Sequence, residues 1–247
     1  MNHLTPAEIV LMKKAGALTR DALNYAKTLI KPGVSTLELD NCVKKFIINS
    51  GGQPSFLGYE GFPGSICASV NEMVVHGIPS ADIILKEGDI ISIDVGVIYK
   101  GYNGDAARTF PVGKISPEKA RLIEVTKQSF FEGIKELKVG ERLGKVSHAI
   151  QTYAEKHGYS VVRELVGHGI GRKMHEPPNI PNYGKPTDGP IVTDGACLAI
   201  EPMINMGKKE IAMLRDGWGI VTRDHMPSAH YENTVFVTKD GVEILTL

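Results

Sequence analysis

The sequence has little of what would mark a secreted, membrane-spanning or nucleic-acid-binding protein. Its only cysteines are Cys42, Cys67 and Cys197, and a set this sparse and odd gives no disulfide framework. No apolar run approaches the length of a membrane span. Lysine plus arginine equals aspartate plus glutamate, at 28 each, so no basic surplus indicates nucleic acid or an anionic membrane as a partner.

A targeting pattern is also missing from the start of the sequence. Met-Asn-His-Leu-Thr-Pro lacks the basic and then apolar segments of a signal peptide. The hydrophobic content of 42% and the charged content of 23% are ordinary for a globular protein. We therefore expect a soluble, cytoplasmic monomer in which residues 1–247 form a single domain.

Capping signals predict four helices. Thr5-Pro6-Ala7-Glu8 and Ser35-Thr36-Leu37-Glu38 are capping boxes, and Ser116-Pro117-Glu118 is a third start signal. Glycines at the far ends of these segments stop the helices. The predicted helices are 5–30, 35–51, 116–138 and 143–157.

Runs of β-branched and apolar residues predict the strands. A turn at Tyr99-Lys100-Gly101 joins two of them into a hairpin, and an extra hairpin is expected around Trp218 within 205–229. The predicted strands are 66–75, 90–98, 102–112, 161–166, 197–201 and 232–237.

The sequence carries signs of an internal duplication, because the order helix, helix, strands occurs twice. Four positions recur as glycine or an acid 107 residues later: Gly33 and Gly140, Gly51 and Gly158, Gly88 and Gly195, and Asp94 and Glu201. We expect two pseudo-symmetric halves, roughly 1–113 and 114–247, that face each other across a central cleft.

Five side chains form a candidate metal cage: Asp94, Asp105, His168, Glu201 and Glu232. Asp94 and Glu201 lie in apolar strand segments, where an unpartnered carboxylate is unfavourable. Asp105 is expected nearly opposite Asp94 on the return strand, and like charges at that range repel unless a cation lies between them. Four carboxylates match two divalent cations, and one imidazole among oxygens suits Mn²⁺, Fe²⁺ or Co²⁺, with Zn²⁺ as a further candidate. Such a pair of ions can activate water for hydrolysis of an amide.

Two further histidines are candidates for proton transfer. The tripeptide at His76, His-Gly-Ile, repeats at His168, and His175 follows shortly after. Either His76 or His175 could donate a hydrogen bond to a carbonyl oxygen or a proton to a leaving nitrogen. The other five histidines carry no comparable signal: His3, His148, His157, His225 and His230.

Taken together, four motifs resemble those of the methionine aminopeptidases, over essentially the whole chain. The motifs are Asp94-x10-Asp105, Gly167-His168-Gly169-Ile170-Gly171, Ile200-Glu201-Pro202 and Tyr231-Glu232-Asn233-Thr234. The resemblance implies an α+β, pita-bread (creatinase/aminopeptidase) fold, with pseudo-two-fold duplicated half-domains and an antiparallel β-sheet covered by helices. It also implies a dinuclear-metal hydrolase that removes the N-terminal methionine from nascent proteins and peptides with a small second residue.

The resemblance assigns roles residue by residue. It makes the five cage residues metal ligands, gives catalytic roles to His76, His175 and Glu201, and has both histidines contact substrate. The methionine pocket it implies consists of Tyr59, Phe62, Cys67 and Trp218, with His76 at its edge. It further implies a structural monovalent cation at Asn71 and Ser228, and a transient ribosome contact.

Two residues depart from the family's pattern. Phe62 stands where tyrosine is frequent, and Met174 stands where an aromatic residue is common. We expect both to alter the rim of the pocket.

Two other functions fit the same fold. One is a proline-specific (Xaa-Pro) peptidase, which peptide kinetics would distinguish. The other is a non-catalytic pita-bread binding protein, which should lack one or more of the ligands, whereas this sequence lacks none.

Overall fold

A computed structural model describes residues 4–247, so residues 1–3 of the predicted domain lie outside the described residues. Within that range the predicted capping residues begin three of four α-helices. Thr5 and Glu8 form a complete capping box, and the Ser35 and Ser116 side chains each accept a hydrogen bond from a backbone N–H in the first turn. The fourth helix follows Leu143, which makes no side-chain cap. The helices are α1 (Pro6–Leu29), α2 (Thr36–Asn49), α3 (Pro117–Lys135) and α4 (Gly144–Lys156). None of these helices combines the length and apolar character that a membrane span requires.

The described residues also contain fifteen short or medium strands and a 3₁₀ turn at Tyr59–Gly61. Every hydrogen-bonded strand pair among them is antiparallel. In chain order the strands are β1 (Gln53–Pro54), β2 (Cys67–Val70), β3 (Met73–Val75), β4 (Ile90–Tyr99), β5 (Tyr102–Pro111), β6 (Ser160–Val161), β7 (Gly167–Gly169), β8 (Glu176–Ile180), β9 (Ala196–Ile200), β10 (Met203–Asn205), β11 (Ile211–Met213), β12 (Ile220–Thr222), β13 (Ser228–His230), β14 (Asn233–Thr238) and β15 (Gly241–Ile244).

Two larger sheets carry the centre of the molecule. In the first, β5 runs along one edge of β4 while β1 and β2 share the other edge. The second has the order β15-β14-β9-β7-β8. Two three-stranded sheets complete the fold. One has the order β13-β10-β6. In the other, β11 and β12 form the predicted extra hairpin, and β12 pairs with β3.

Two strand predictions were too long. The strand expected over 66–75 is divided into β2 and β3 at Asn71, whose φ of 52° is incompatible with an extended backbone. The strand expected over 161–166 is reduced to Ser160–Val161, which pairs with Asn205 and Ile204 of β10.

The turn of the β4–β5 hairpin sets the placement of two acids. Lys100 and Gly101 both have positive φ, 48° and 85°, and form a two-residue turn that pairs Tyr99 with Tyr102. Asp94 therefore pairs with Ala107 and Asp105 pairs with Gly96, so Asp105 lies nearly opposite Asp94, as expected. An offset of two residues keeps both carboxylates on one face of the sheet, as diagonal neighbours.

The internal repeat is visible in the backbone. The six paired glycines all adopt the left-handed conformation, with φ between 82° and 91°: Gly33 and Gly140, Gly51 and Gly158, and Gly88 and Gly195. One core cluster of buried residues extends from Leu18 to Val112, and another extends from Phe130 to Val237. Each cluster lies within one of the expected halves, although the boundary near residue 113 stays a prediction.

A hydrogen-bonded seam joins the return strand β5 to the segment that leads into β14. The backbone N–H of Glu232 donates to the carbonyl of Ala107 at 2.9 Å. The Arg108 guanidinium donates to the Glu232 carbonyl and to Asn233 Oδ1, and it lies 4.1 Å from the centre of the Tyr231 ring. This seam brings acids from both halves of the chain to the same place.

Candidate metal centre

One cavity of about 150 Å³ gathers the predicted site. All eleven residues that sequence reasoning assigned to metal, catalysis or the methionine pocket line it, together with Phe56 and Glu60. The eleven are Tyr59, Phe62, Cys67, His76, Asp94, Asp105, His168, His175, Glu201, Trp218 and Glu232.

Strands from both halves supply the five predicted ligands. Asp94 and Asp105 lie on β4 and β5, and His168 lies on β7. Glu201 directly follows β9, and Glu232 directly precedes β14. The strands β4, β7, β9 and β14 each pair with neighbours on both sides, and β5 pairs along its whole length with β4, so the ligands lie on or directly beside hydrogen-bonded strands.

The hydrogen bonds of His168 fix which of its nitrogens can bind a cation. Nδ1 lies 2.9 Å from the carbonyl of Gly169, and a carbonyl only accepts, so the imidazole proton lies on Nδ1. Nε2 therefore presents its lone pair to the cavity, 3.8 Å from Asp105 Oδ2 and 3.7 Å from Glu201 Oε1. Burial lowers the pKa of His168 to about 4, which keeps the ring neutral. A neutral imidazole with a backbone-bonded N–H is the usual form of a metal ligand.

The four carboxylates are crowded beyond what their own contacts can stabilise. Burial, and then repulsion by neighbouring acids, raises the pKa of Asp94, Glu201 and Glu232 well above the usual range. Burial raises the pKa of Asp105 to about 7. Within these four carboxylates, three buried oxygens accept no hydrogen bond from the described residues: Asp94 Oδ1, Asp105 Oδ1 and Glu232 Oε1.

These observations fit divalent cations. Orphaned buried oxygens on repelling acids are costly, and cations remove both the repulsion and the missing partners. The ligand atoms of Asp105, His168 and Glu232 all lie within 4.8 Å of one another, as do those of Asp94, His230 and Glu232. Carboxylate oxygens with imidazole nitrogen suit hard and borderline divalent ions.

The two candidate proton-transfer histidines flank this cluster. His76 follows β3 with a left-handed backbone, φ 59°, and its side chain lines the cavity. Its pKa is lowered by burial and then by the nearby His175. His175 lies with its ring centre 4.2 Å from that of His168, and its Nδ1 is 2.8 Å from the Tyr59 hydroxyl. Burial lowers the pKa of His175 as well, so both rings are neutral at neutral pH.

Aromatic rings and a thiol form the apolar wall of the cavity. Trp218, carried by the β11–β12 hairpin, meets Phe62 edge to face with ring centres 5.1 Å apart and approaches His76 at 6.5 Å. Cys67 on β2 is buried beside the acids, and burial and then the Asp94 charge raise the pKa of its thiol. A neutral thiol of this kind packs as a small apolar group.

The expectation for Met174 was wrong, whereas Phe62 lies at the cavity as predicted. Met174 is only 3% exposed and packs in a core cluster with Ile170 and Cys197. Its terminal methyl fills the space left by the missing side chain of Gly96. Met174 thus supports the floor beneath the site and does not line the cavity.

Sequence reasoning missed His230. This residue ends β13 and is 2% exposed, with Nε2 3.9 Å from Glu201 Oε2 and 3.8 Å from Glu232 Oε2. The only available signal was its position two residues before Glu232, which places both side chains toward one face of an extended segment.

Asn71 and Ser228, the expected monovalent-cation pair, are neighbours. The Ser228 N–H donates to the Asn71 carbonyl at 2.9 Å, and the Ser228 hydroxyl lies 2.8 Å from Asn205 Oδ1. Asn71 Oδ1 accepts from the Lys119 ammonium at 3.0 Å. The pair therefore lies together, and its role stays a prediction.

Comparison with known proteins identifies the family. The model of metallopeptidase family M24 matches residues 10–239, and the chain belongs to that family.

Its relatives narrow the comparison further. The chain is 52% identical to the methionine aminopeptidase of Clostridium acetobutylicum, over 97% of this chain and 96% of the relative. The crystal structure of methionine aminopeptidase from Rickettsia prowazekii superposes with a TM-score of 0.98 and 44% identity, each chain being covered completely. A prolidase from Pyrococcus furiosus shares the fold with a TM-score of 0.82 at 23% identity, over 99% of this chain and 65% of that one. The predicted α+β, pita-bread fold is confirmed.

Proposed function

We propose that this chain removes the N-terminal methionine from nascent proteins and peptides whose second residue is small, with divalent ions held by Asp94, Asp105, His168, Glu201 and Glu232. The observation that carries the proposal is the convergence of these five side chains, from both halves, on one small cavity. Family membership and the full-length relatives support metal-dependent aminopeptidase activity. When bound, the ions would supply Lewis acidity toward the peptide carbonyl and lower the pKa of water.

The number and kind of ions are part of the proposal. Four carboxylates balance the charge of two divalent cations, and the two overlapping groups of ligand atoms share Glu232. The donor set is compatible with Co²⁺, Mn²⁺, Fe²⁺ or Zn²⁺.

The cavity offers a place for one apolar side chain. Its volume of about 150 Å³ is well below the roughly 300–1,000 Å³ of pockets for drug-sized ligands. Phe62 and Trp218 present ring edges and faces that suit a thioether sulfur, and the neutral Cys67 thiol adds a small apolar surface. Tyr59 closes the wall and holds His175.

The chain's own groups provide the proton transfers. With the Tyr59 hydroxyl as donor to Nδ1, His175 carries its proton on Nε2 and can donate it toward the peptide. His76, also neutral, lies beside Trp218 and serves as a second donor. The Glu201 carboxylate lines the same cavity and would accept a proton from water and pass it to the leaving nitrogen.

Several further properties belong to the same proposal. A monovalent cation at Asn71 and Ser228 would brace the turn between β2 and β3 against β13, where the two residues meet. We also propose a cytoplasmic monomer, a single catalytic domain with halves at 1–113 and 114–247, and transient contact with the ribosome.

A peptide assay after chelation tests the function. The chelated protein should release no methionine from Met-Ala-Ser, and adding back one divalent metal at a time should restore release. Xaa-Pro peptides should remain uncleaved, because the full-length relatives are methionine aminopeptidases and the prolidase shares only the fold. Asp94→Ala should abolish release while the circular dichroism spectrum is unchanged.

The exposed Asp82→Ala serves as the matched control and should retain activity. Full activity of Asp94→Ala, or of the chelated protein, would contradict the proposal. Cleavage of Xaa-Pro peptides in preference to Met-Ala-Ser would instead favour the proline-specific alternative.

A further inference from the structure

His230 is a buried histidine that the function proposed above does not use. Neither Nδ1 nor Nε2 has a hydrogen-bond partner among the described residues. A neutral imidazole carries an N–H on one nitrogen and a lone pair on the other, and buried groups of this kind are nearly always partnered. The ring therefore needs a partner that the described side chains do not supply.

The distances around His230 repeat those around His168. Nε2 of His230 lies 3.9 Å and 3.8 Å from oxygens of Glu201 and Glu232, which is too far for hydrogen bonds. Nε2 of His168, a predicted ligand, lies 3.8 Å and 3.7 Å from oxygens of Asp105 and Glu201. In both imidazoles Nε2 thus lies at nearly the same non-bonding distance from two carboxylate oxygens. An ion bound between the nitrogen and the oxygens would contact all of them.

The close ligand atoms also form two groups, one around each imidazole. One group of mutually close ligand atoms joins His230 to Asp94 and Glu232, and the other joins His168 to Asp105 and Glu232. Each group contains one imidazole and two carboxylates, and Glu232 belongs to both.

The backbone of His230 is anchored in the same way as that of an assigned ligand. The Thr109 hydroxyl accepts from the His230 N–H at 2.8 Å and donates to the His230 carbonyl at 3.0 Å. The Thr234 hydroxyl makes the equivalent pair of bonds to Asp105, both at 2.9 Å. A threonine from the opposite half therefore fixes each backbone, and the ring of His230 is positioned before any ion arrives.

We propose that His230 is a sixth ligand of the metal centre, with Nε2 binding the divalent ion held by Asp94 and Glu232. This inference rests on the proposed function, since it adds a ligand to the centre proposed there.

Zinc titration of the full chain, stripped with a chelator, tests the inference. Wild type should bind two ions by calorimetry. His230→Gln keeps a polar side chain of similar reach but removes the imidazole lone pair. It should weaken one of the two binding events by more than about 100-fold, because losing a group outside the ligand shell costs only about 10–100-fold. His148→Gln, at an exposed histidine away from the site, should bind both ions as wild type does.

The possible results separate the two levels of the proposal. Two unchanged binding events in His230→Gln, or a loss of no more than about 100-fold, would overturn the ligand role while leaving the metal-dependent function intact. Absence of tight zinc binding by wild type would contradict the proposed function itself. Crystals of zinc-loaded wild type decide the point even if the variant does not fold. An anomalous peak about 2.0–2.1 Å from His230 Nε2 is expected, and an ion beyond bonding distance would overturn the assignment.

Discussion

The side chains of the metal centre are each destabilised in their charged form. Burial raises the pKa of Asp94 and Glu201, and it lowers the pKa of His168 to about 4. Acids and bases alike are therefore driven toward neutrality by their surroundings in the protein. Divalent ions would reverse that preference for the acids and would use the lone pairs of neutral imidazoles. The residues are arranged for cations and not for one another.

His76→Asn should separate proton donation from metal binding. Asparagine tolerates the left-handed backbone at this position, where φ is 59°, so the change removes the imidazole without adding strain. We expect kcat for methionine release to fall about 10²–10⁴-fold, because one general acid is lost. The measured metal content should not change.

His225→Asn is the matched control for that variant. His225 is exposed and has a φ of 57°, so the same substitution tests the same backbone outside the site. It should leave kcat unaltered. If His76→Asn instead lost its metal while keeping kcat per bound ion, His76 would be a ligand and not a proton donor.

The acids of the site could be predicted one by one, and His230 could not. Asp94 and Glu201 oppose the character of the strand segments around them, which is a contradiction that a single sequence displays. A histidine in Ala229-His230-Tyr231 contradicts nothing, because histidine is acceptable both inside and outside a protein. Only the three-dimensional contact with Glu201 and Glu232 reveals its chemistry.

At the level of helices, strands and loops, the segment that carries His175 is tied down from two sides. Asn103 on β5 donates through its side-chain amide to the carbonyls of Gly171 and Arg172, at 3.1 Å and 3.3 Å. From the other side, Glu8 on α1 accepts a hydrogen bond from the Arg172 guanidinium. The loop that carries His175 is therefore held by the first helix and by the strand that bears Asp105.

Asn103→Ala should loosen this loop. The variant loses two hydrogen bonds to the loop backbone from a buried side chain, and we expect the free energy of unfolding to fall by about 1–3 kcal/mol. Because His175 loses its support, KM for Met-Ala-Ser should also rise. Urea denaturation and steady-state kinetics measure the two effects.

Arg172→Ala removes the other tether and is the natural comparison. The Arg172 side chain is 48% exposed, and ion pairs in that setting contribute little to stability. We expect its urea midpoint and KM to stay close to wild type. A larger effect from Arg172→Ala than from Asn103→Ala would show that α1, and not β5, holds the loop.

Elements whose sequence signals act within a few residues could be predicted, and those that depend on longer-range geometry could not. The helices α1, α2 and α3 begin where Thr5, Ser35 and Ser116 place their caps, since a cap acts within one turn. The exact register of β4 against β5 could not be predicted, because it depends on whether the turn at Lys100 and Gly101 contains two residues or three. The number of residues in the turn depends on two φ angles, and nothing else in the sequence indicates it.

In the complete fold, ions bound at the proposed centre would connect the two halves of the chain. Asp94 and Asp105 come from the first half, whereas His168, Glu201 and Glu232 come from the second, and the seam at Arg108 lies beside them. Binding to the folded state alone stabilises that state by mass action. Loss of the ions should therefore affect the stability of the whole chain as well as its activity.

Metal stabilisation should grow with pH. In the folded, metal-free chain the pKa of Asp105 is raised from 3.8 to about 7, so this group stabilises that state below its unfolded pKa and loses the contribution as pH rises through about 7. Bound cations replace the missing protons. The gain in Tm on adding Mn²⁺ to chelated protein should thus be larger at about pH 8 than at about pH 5.5, as calorimetric scans would measure.

Asp105→Asn provides the comparison, because its amide does not titrate. The pH dependence of the gain in Tm should be smaller in this variant than in wild type. Equal gains at both pH values in wild type would mean that ion binding releases no protons from the carboxylates.

The seam between β5 and the segment before β14 can form only after most of the chain has been synthesised. Asp94 and Asp105 are synthesised more than a hundred residues before Glu232, whose backbone binds that of Ala107. Contacts so distant in the chain close late in folding. During translation Asp94 and Asp105 are therefore made before the residues of the second half that would share ions with them, so the proposed centre can be completed only after Glu232 has been synthesised.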